Sequence, residues 1–286
     1  MKCIELPYLR SRLGAVYLRC CISDDGFVDV FRVLKRSGKE VVMRGVRLCK
    51  AIPFLGAYCD VCAHPLPLNY VCRAHSSERE VLDKTIAVGM YYTKDVVEEL
   101  ASQGIWARNA LTSYILELKN RKLVAPLLGI AMATVLHTRI FGISPDDIDI
   151  VTYVPKHPME LKRDVDTGEE YNQSELLAEI VSRVLNKPLK SLVIKTQPLS
   201  LSGLRTEDRY KHAREVYRID REYINDIKGS RILIVDDVRT SGATANAIAE
   251  KLKGVGASKT YLLVAGRATL KTQFIEFVMH TRKRRS

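Results

Sequence analysis

Aromatic side chains are scarce in this 286-residue chain (7%, with a single Trp), and long apolar runs are missing. The longest nearly uncharged stretch, Val124 to Leu136, is broken near its start by Pro126. A membrane-crossing helix needs about 20 apolar residues, so no span and no membrane association are expected. The opening residues, MKCIELPYLRSRLG, place Glu5, Arg10 and Arg12 where a secretory leader needs an apolar core. The expected location is therefore the cytoplasm. There is no P-loop lysine motif and no internal repeat, and the GVG at 254–256 follows a helical pattern instead of opening one, a weak nucleotide fingerprint. With 16 Gly, 10 Pro and 27% charged residues, disordered, collagen-like and coiled-coil classes are excluded. The 47% hydrophobic content suffices for one large domain or two modest ones.

Charge is unevenly placed. The chain carries +12 overall, of which residues 1–57 hold +6 and Arg282, Lys283, Arg284 and Arg285 hold +4. Basic ends around a nearly neutral middle suit a polyanion such as nucleic acid. The alternative is a plainly solvated basic surface.

Seven cysteines in a chain expected inside the cell point to metal or buried thiols before disulfides. Cys59-x2-Cys62 and Cys72-x2-His75 form two knuckles with a proline-containing arm between them. A two-residue spacer lets both side chains of a knuckle turn onto one tetrahedral ion, so three thiolates and an imidazole would close a structural zinc site. His64 is a spare donor, and the competing reading is reduced, metal-free cysteines. Cys3, Cys20, Cys21 and Cys49 lack metal spacing and are expected to be buried thiols. Because the knuckle lies far along the chain from the motif described next, metal loss is expected to leave that motif's ligand binding largely intact.

Residues 1–57 read as short antiparallel strands (Ala15–Leu18, Val28–Val33, Glu40–Met43) punctuated by glycines. Thr85 to Tyr92 reads as a strand, Trp106 to Lys119 as a helix, and a second apolar helix follows Pro126. From residue 148 strands alternate with helices. Ile148–Val154, Ser191–Ile194, Arg231–Val235 and Thr260–Val264 are β-branched runs of the kind buried on both faces of a parallel sheet. Ser174–Leu185 and Ala243–Lys253 carry apolar stripes, with Asn172 and Glu175 placed for a capping box. The expected division is 1–57, a basic β-rich segment; 58–80, the knuckle; 81–270, an α/β domain; and 271–286, a basic tail.

The strongest signal is one strand-to-helix turn. Ile232 to Val235 lead into Asp236 and Asp237, followed by Val238, Arg239, Thr240, Ser241, Gly242, Ala243 and Thr244 and then a helix. Ligands of such folds bind at the carboxyl edge of the sheet, and a helix N-terminus with its unpaired N–H groups is a ready phosphate site. Gly242 permits close approach, and the hydroxyls of Thr240, Ser241 and Thr244 add donors. Two carboxylates would repel the phosphate, so they need a neighbouring partner rich in hydroxyls or a cation. A ribose 5-phosphate meets both demands; an Mg²⁺ site or a phosphoacceptor is the alternative.

This turn resembles the 5-phosphoribosyl 1-pyrophosphate (PRPP) motif of type I phosphoribosyltransferases. Further pieces in order resemble the ComF branch of competence-associated proteins: the cysteine knuckle, Leu116 to Leu128, Val154-Pro155, Asn172-Gln173 with the following helix, and Leu204 to Arg209. The resemblance covers about residues 58–267. It implies a doubly wound parallel sheet of type I phosphoribosyltransferase kind, preceded by a zinc knuckle and a β-rich segment. It implies PRPP with Mg²⁺ as ligand, a DNA-uptake or DNA-processing setting, and a helicase-type partner as one option.

Pyrophosphate would leave C1 of the ribose through an oxocarbenium-like transition state as a nitrogen acceptor adds. Asp236 and Asp237 would fix the ribose. Lys156, Lys162 and Arg163 would face the leaving group, and Arg209 matches a basic family position. The family usually carries Arg-Gly-Phe before Asn-Gln, where this chain has Glu169-Glu170-Tyr171. That change bears on turnover. Tyr171 would stack on an acceptor or, as favoured here, pack under the following helix. Three functions stay open: a transferase, a PRPP sensor or DNA-handling protein, and a zinc-stabilised scaffold.

Overall fold

Alternating apolar and charged side chains over the first 50 residues produce four extended segments. In the computed structural model they are β1 (Lys2–Ser11), β2 (Gly14–Ile22), β3 (Phe27–Arg36) and β4 (Lys39–Lys50), an antiparallel sheet in the order β1-β2-β3-β4. The structure describes residues 1–11, 14–66, 72, 80–105, 109–198, 206–268 and 275, with the backbone alone at 10, 11, 14, 206, 207 and 209. Cys3 and Cys21 face one another across β1 and β2 with Cα atoms 4.1 Å apart, and they form a disulfide. The expectation of buried thiols is corrected for these two, because spacing along the chain does not reveal strand register. Cys20 and Cys49 are buried thiols, and burial pushes the Cys20 thiol up to about 12.

The chain then enters β5 (Lys84–Tyr91), α1 (Lys94–Ser102), α2 (Ala110–Glu117) and α3 (Ala125–His137). Helix α2 starts later than expected because the Asn109 side chain caps it by accepting from Thr112 N–H; residues 106–108 lie outside the described residues. Helix α3 is apolar on every side, and so it is buried on every side. Strands β1 and β2 cover one flank of it, while β5, β12 and α4 (introduced below) pack elsewhere on it.

Strand β6 (Ile150–Tyr153) leads through a two-stranded ribbon, β7 (Lys162–Arg163) and β8 (Glu170–Tyr171), into α4 (Gln173–Leu185). Then follow β9 (Val193–Lys195), α5 (Thr206–Val216), β10 (Tyr217–Ile219), α6 (Ile224–Ile227), β11 (Arg231–Arg239), α7 (Ala243–Gly254) and β12 (Lys259–Ala268). The central sheet is parallel, in the order β5-β12-β11-β6.

Two expectations are revised. The run at 191–194 does not join this sheet. It supplies β9, which pairs antiparallel with β10, and Ile194 is exposed instead of being covered on both faces. The capping box at α4 is only half made. Asn172 accepts from Ser174 N–H, but the Glu175 carboxylate accepts from the Tyr153 hydroxyl. One hydrophobic core runs from Leu6, Leu18 and Val28 through Ile86, Leu111 and Ile130 to Ile248 and Leu263. No helix among the described residues is long and apolar enough to cross a membrane.

Candidate functional site

Ile232 to Val235 are fully buried between β12 and β6, and the next two residues emerge at the carboxyl edge of the sheet. Consecutive strand residues point to opposite faces, which separates the two acids. Asp236 turns toward α4, where its Oδ1 accepts from Ser174 Oγ at 2.7 Å and from Asp237 N–H at 2.9 Å. Asp237 accepts from Val238 N–H, and its charge acts on Tyr91 of β5. Burial pushes the Asp236 carboxyl well above the usual range, and repulsion by Asp237 adds to this; Lys156 and Ser174 pull it back only in part. Tyr217 completes this side, where burial and the charges of Asp236 and Glu160 hold its hydroxyl protonated. Glu160 in turn holds the Lys195 ammonium at 2.6 Å.

The turn after the acids surrounds a pocket of about 340 Å³ lined by Asp236, Val238, the residues from Arg239 to Ala245, and Leu262. Its backbone orientation follows from who holds its carbonyls. Arg267 Nη1 donates to the carbonyls of Arg239 (3.1 Å) and Thr240 (2.8 Å). The Tyr210 hydroxyl donates to the Ser241 carbonyl at 3.0 Å, and Asn246 Nδ2 donates to that of Gly242 at 3.1 Å. In a trans peptide the N–H opposes the C=O, so with four carbonyls drawn into the protein the N–H groups of residues 240–243 face the other way, that of Ala243 bonding Ser241 Oγ at 3.3 Å. They meet the N-terminus of α7, whose dipole favours an anion.

Gly242 takes φ +84°, and a Cβ there would lie 2.8 Å from Arg239 Nη2. Only glycine satisfies both conditions. The Arg239 guanidinium itself is fully buried on Glu80 (2.6 Å) and Thr85. Arg239 thus belongs to the pocket lining while its charge is spent inside the fold.

At the knuckle, the Sγ atoms of Cys59, Cys62 and Cys72 lie within 4.8 Å of one another, and Cys62 and Cys72 are 3.6 Å apart. Zn–S bonds of about 2.3 Å in a tetrahedron separate two sulfurs by roughly 3.8 Å, so the three thiols fit three corners of a zinc site. His75, the expected fourth ligand, lies outside the described residues. His64 is fully buried with Nδ1 against the Pro65 carbonyl, and it is not part of the sulfur group. Among the described residues no third ligand joins Asp236 and Asp237.

Of the expected basic residues, Lys156 lies near enough for its charge to act on Asp236. Lys162 and Arg163 are exposed on the ribbon outside the pocket lining, and Arg163 pairs with Glu170 at 3.4 Å. The Arg209 side chain lies outside the described residues, although its backbone falls in α5. Tyr171 is buried with its hydroxyl donating to the Leu118 carbonyl at the end of α2.

Residues 172–280, which span α4, the acid pair and the loop, match the phosphoribosyl transferase domain. Competence protein F of Haemophilus influenzae is 29% identical over 100 residues, which are 34% of this chain and 43% of that protein. The chain is ComF-like, with a phosphoribosyltransferase-type domain. The match spans under half the length of that relative. A solved structure described as the allosteric regulatory enzyme of purine biosynthesis aligns over 49% of this chain and 25% of its own, at 18% identity and a TM-score of 0.30.

At this site, sequence reasoning missed Ser174, Tyr210, Tyr217, Lys195 and Arg267. Ser174 carried a usable signal, being the second residue of a helix that starts at the sheet edge. Arg267 carried one too: a charged residue ending an otherwise apolar strand is rarely buried without a partner. The others sit in elements whose docking the sequence pattern did not reveal. The distance along the chain between knuckle and loop was also misleading. Arg267 Nε donates to the Cys62 carbonyl at 2.8 Å while its Nη1 holds the loop, so the two sites touch one side chain.

Proposed function

We propose that the chain binds PRPP at the β11–α7 turn and transfers ribose 5-phosphate to a nitrogen acceptor, releasing pyrophosphate. The observation that carries this reading is the inward locking of four successive loop carbonyls, which aims the loop's N–H groups at a pocket ending on Asp236. The 5-phosphate would sit on those N–H groups and on the hydroxyls of Thr240, Ser241 and Thr244. Asp236 and Asp237, once ionised, would accept from the ribose hydroxyls and stand where positive charge grows on the ring. Lys156 would meet the pyrophosphate, with Lys162 and Arg163 on the ribbon above. Mg²⁺ carried by the substrate's own oxygens would neutralise the leaving group.

Calorimetry with PRPP and Mg²⁺ should give binding that Asp236→Asn with Asp237→Asn abolishes in a folded protein. A pyrophosphate-release screen across nucleobases and amines should then find the acceptor. Unchanged affinity in the double variant would displace the site.

One observation favours a second reading, a PRPP-sensing or DNA-handling protein without turnover, acting with a helicase-type partner. The two acids that replace the family's arginine segment neutralise nearby cations: Glu170 pairs with Arg163 and Glu169 with Lys122. Nucleic acid would then be met by the basic head together with Arg282, Lys283, Arg284 and Arg285 of the tail. DNA binding that weakens steeply with salt, together with PRPP binding and no pyrophosphate release, would select this reading.

A further inference from the structure

Arg267, the penultimate residue of β12, is 1% exposed. Every nitrogen of its guanidinium is committed. Nε donates to the Cys62 carbonyl (2.8 Å), Nη2 approaches Cys62 Sγ (3.8 Å), and Nη1 meets the carbonyls of Arg239, Thr240 and the neighbouring Ala268. Among the described residues it makes no ion pair with a carboxylate, although a buried cation needs a counter-charge. Thiolates gathered on a divalent ion would supply one. A second path runs beside it. The Cys59–Cys62 turn accepts Thr85 N–H at its Val61 carbonyl (2.7 Å), and Thr85 Oγ1 with Glu80 fixes Arg239 from below the loop.

We infer that Arg267 is a positioning residue that makes the conformation of the phosphate loop depend on the metal state of the Cys59–Cys62–Cys72 site. A planar fork with donors on three sides bridges two groups of acceptors rigidly. When the knuckle holds zinc, Cys62 is fixed, the fork is fixed with it, and the Arg239 and Thr240 carbonyls stay turned inward. When the knuckle loosens, the fork loses its anchor and the loop N–H groups lose their aim. By linkage, a ligand on the loop tightens zinc by the factor that zinc tightens the ligand. The ligand half of this statement rests on the reading of the loop as a PRPP phosphate site; the conformational half does not.

The test compares the zinc-loaded full chain with the chelated one, in the parent and in Arg267→Lys. Lysine keeps the charge, but its single head reaches either Cys62 or the loop, not both. Two quantities are read: hydrogen exchange of the loop-bonded amides of Ala243 and Asn246, which donate to Ser241 Oγ and to the Gly242 carbonyl, and affinity for inorganic pyrophosphate and for PRPP. In the parent, chelation should speed loop exchange and weaken binding on the order of tenfold. In Arg267→Lys the loop should exchange fast while zinc is still bound, and chelation should change neither quantity further. Zinc content and a melting curve accompany each sample, and Arg267→Gln replaces the lysine variant if that one does not fold.

Parent loop exchange that ignores chelation would overturn the inference. So would a folded, zinc-holding variant with a protected loop, or the absence of one zinc per chain in the loaded parent. If the loaded parent binds neither pyrophosphate nor PRPP, the proposed function fails, while loop exchange still decides the coupling.

Discussion

Asp236→Asn should make the ligand-free protein more stable at neutral pH. The carboxyl is desolvated beside Asp237, and burial with repulsion pushes it up to about 7 against an ordinary value near 3.8. Holding such a group ionised costs on the order of a few kcal/mol, since one pKa unit is about 1.4 kcal/mol. Asparagine keeps the acceptor that Ser174 Oγ and Asp237 N–H use and removes the charge. Between pH 4 and 7 the folded parent binds this proton more tightly than the unfolded chain does, so this group lowers the parent's stability as pH rises. The advantage of the variant should therefore be absent below about pH 4, open between 4 and 7, and level off above. That difference is about 4 kcal/mol, and at 2 to 4 °C per kcal/mol for a domain of this size the melting temperature should rise by roughly 10 °C at pH 8. Melting curves of parent and variant across pH 4–8 without ligand decide it. A variant less stable than the parent at pH 8, or a difference independent of pH, would refute the reasoning.

Gly242→Ala should destabilise by about 1–3 kcal/mol and lose phosphate affinity, because alanine is strained at φ +84° and its Cβ meets Arg239; denaturant melts and pyrophosphate titration check both. Tyr210→Phe removes the donor to the Ser241 carbonyl and should weaken PRPP binding severalfold, about 1 kcal/mol, at nearly unchanged melting temperature. Reducing the Cys3–Cys21 bridge, which joins residues 18 apart, should lower stability by up to about 3 kcal/mol, seen as a drop in melting temperature under dithiothreitol that Cys3→Ser abolishes.

The parallel strands and the β11–α7 turn were legible because each is written locally. Four aliphatics, two acids, hydroxyls and a glycine specify a strand, an edge and a helix start without outside help. The knuckle was legible for the same reason, through ligand spacing. What escaped was whatever depends on register or on docking between elements. The Cys3–Cys21 bridge exists because β1 and β2 pair Cys3 with Cys21, a register that cysteine spacing does not encode. Tyr210 and Arg267 reach the loop from α5 and β12, which lie on either side of β11–α7 in the chain. The run at 191–194 has strand composition but a solvent-facing Ile194, so propensity gave the element and packing decided its partner.

The close approach of Cys49 to β5 has a practical consequence for anyone dissecting this chain. A Cβ added at Gly89 would fall 2.5 Å from Cys49 Sγ, so the last turn of the N-terminal sheet rests directly on a strand of the parallel one. Strands β1 and β2 meanwhile cover a helix whose residues Leu128 to Leu136 are all buried. A fragment begun at residue 58 would keep every residue proposed to touch PRPP and still expose an apolar helix face to water. Such a fragment should come out of the cell aggregated or chaperone-bound. The minimal unit for binding assays is thus the chain with its first 57 residues attached.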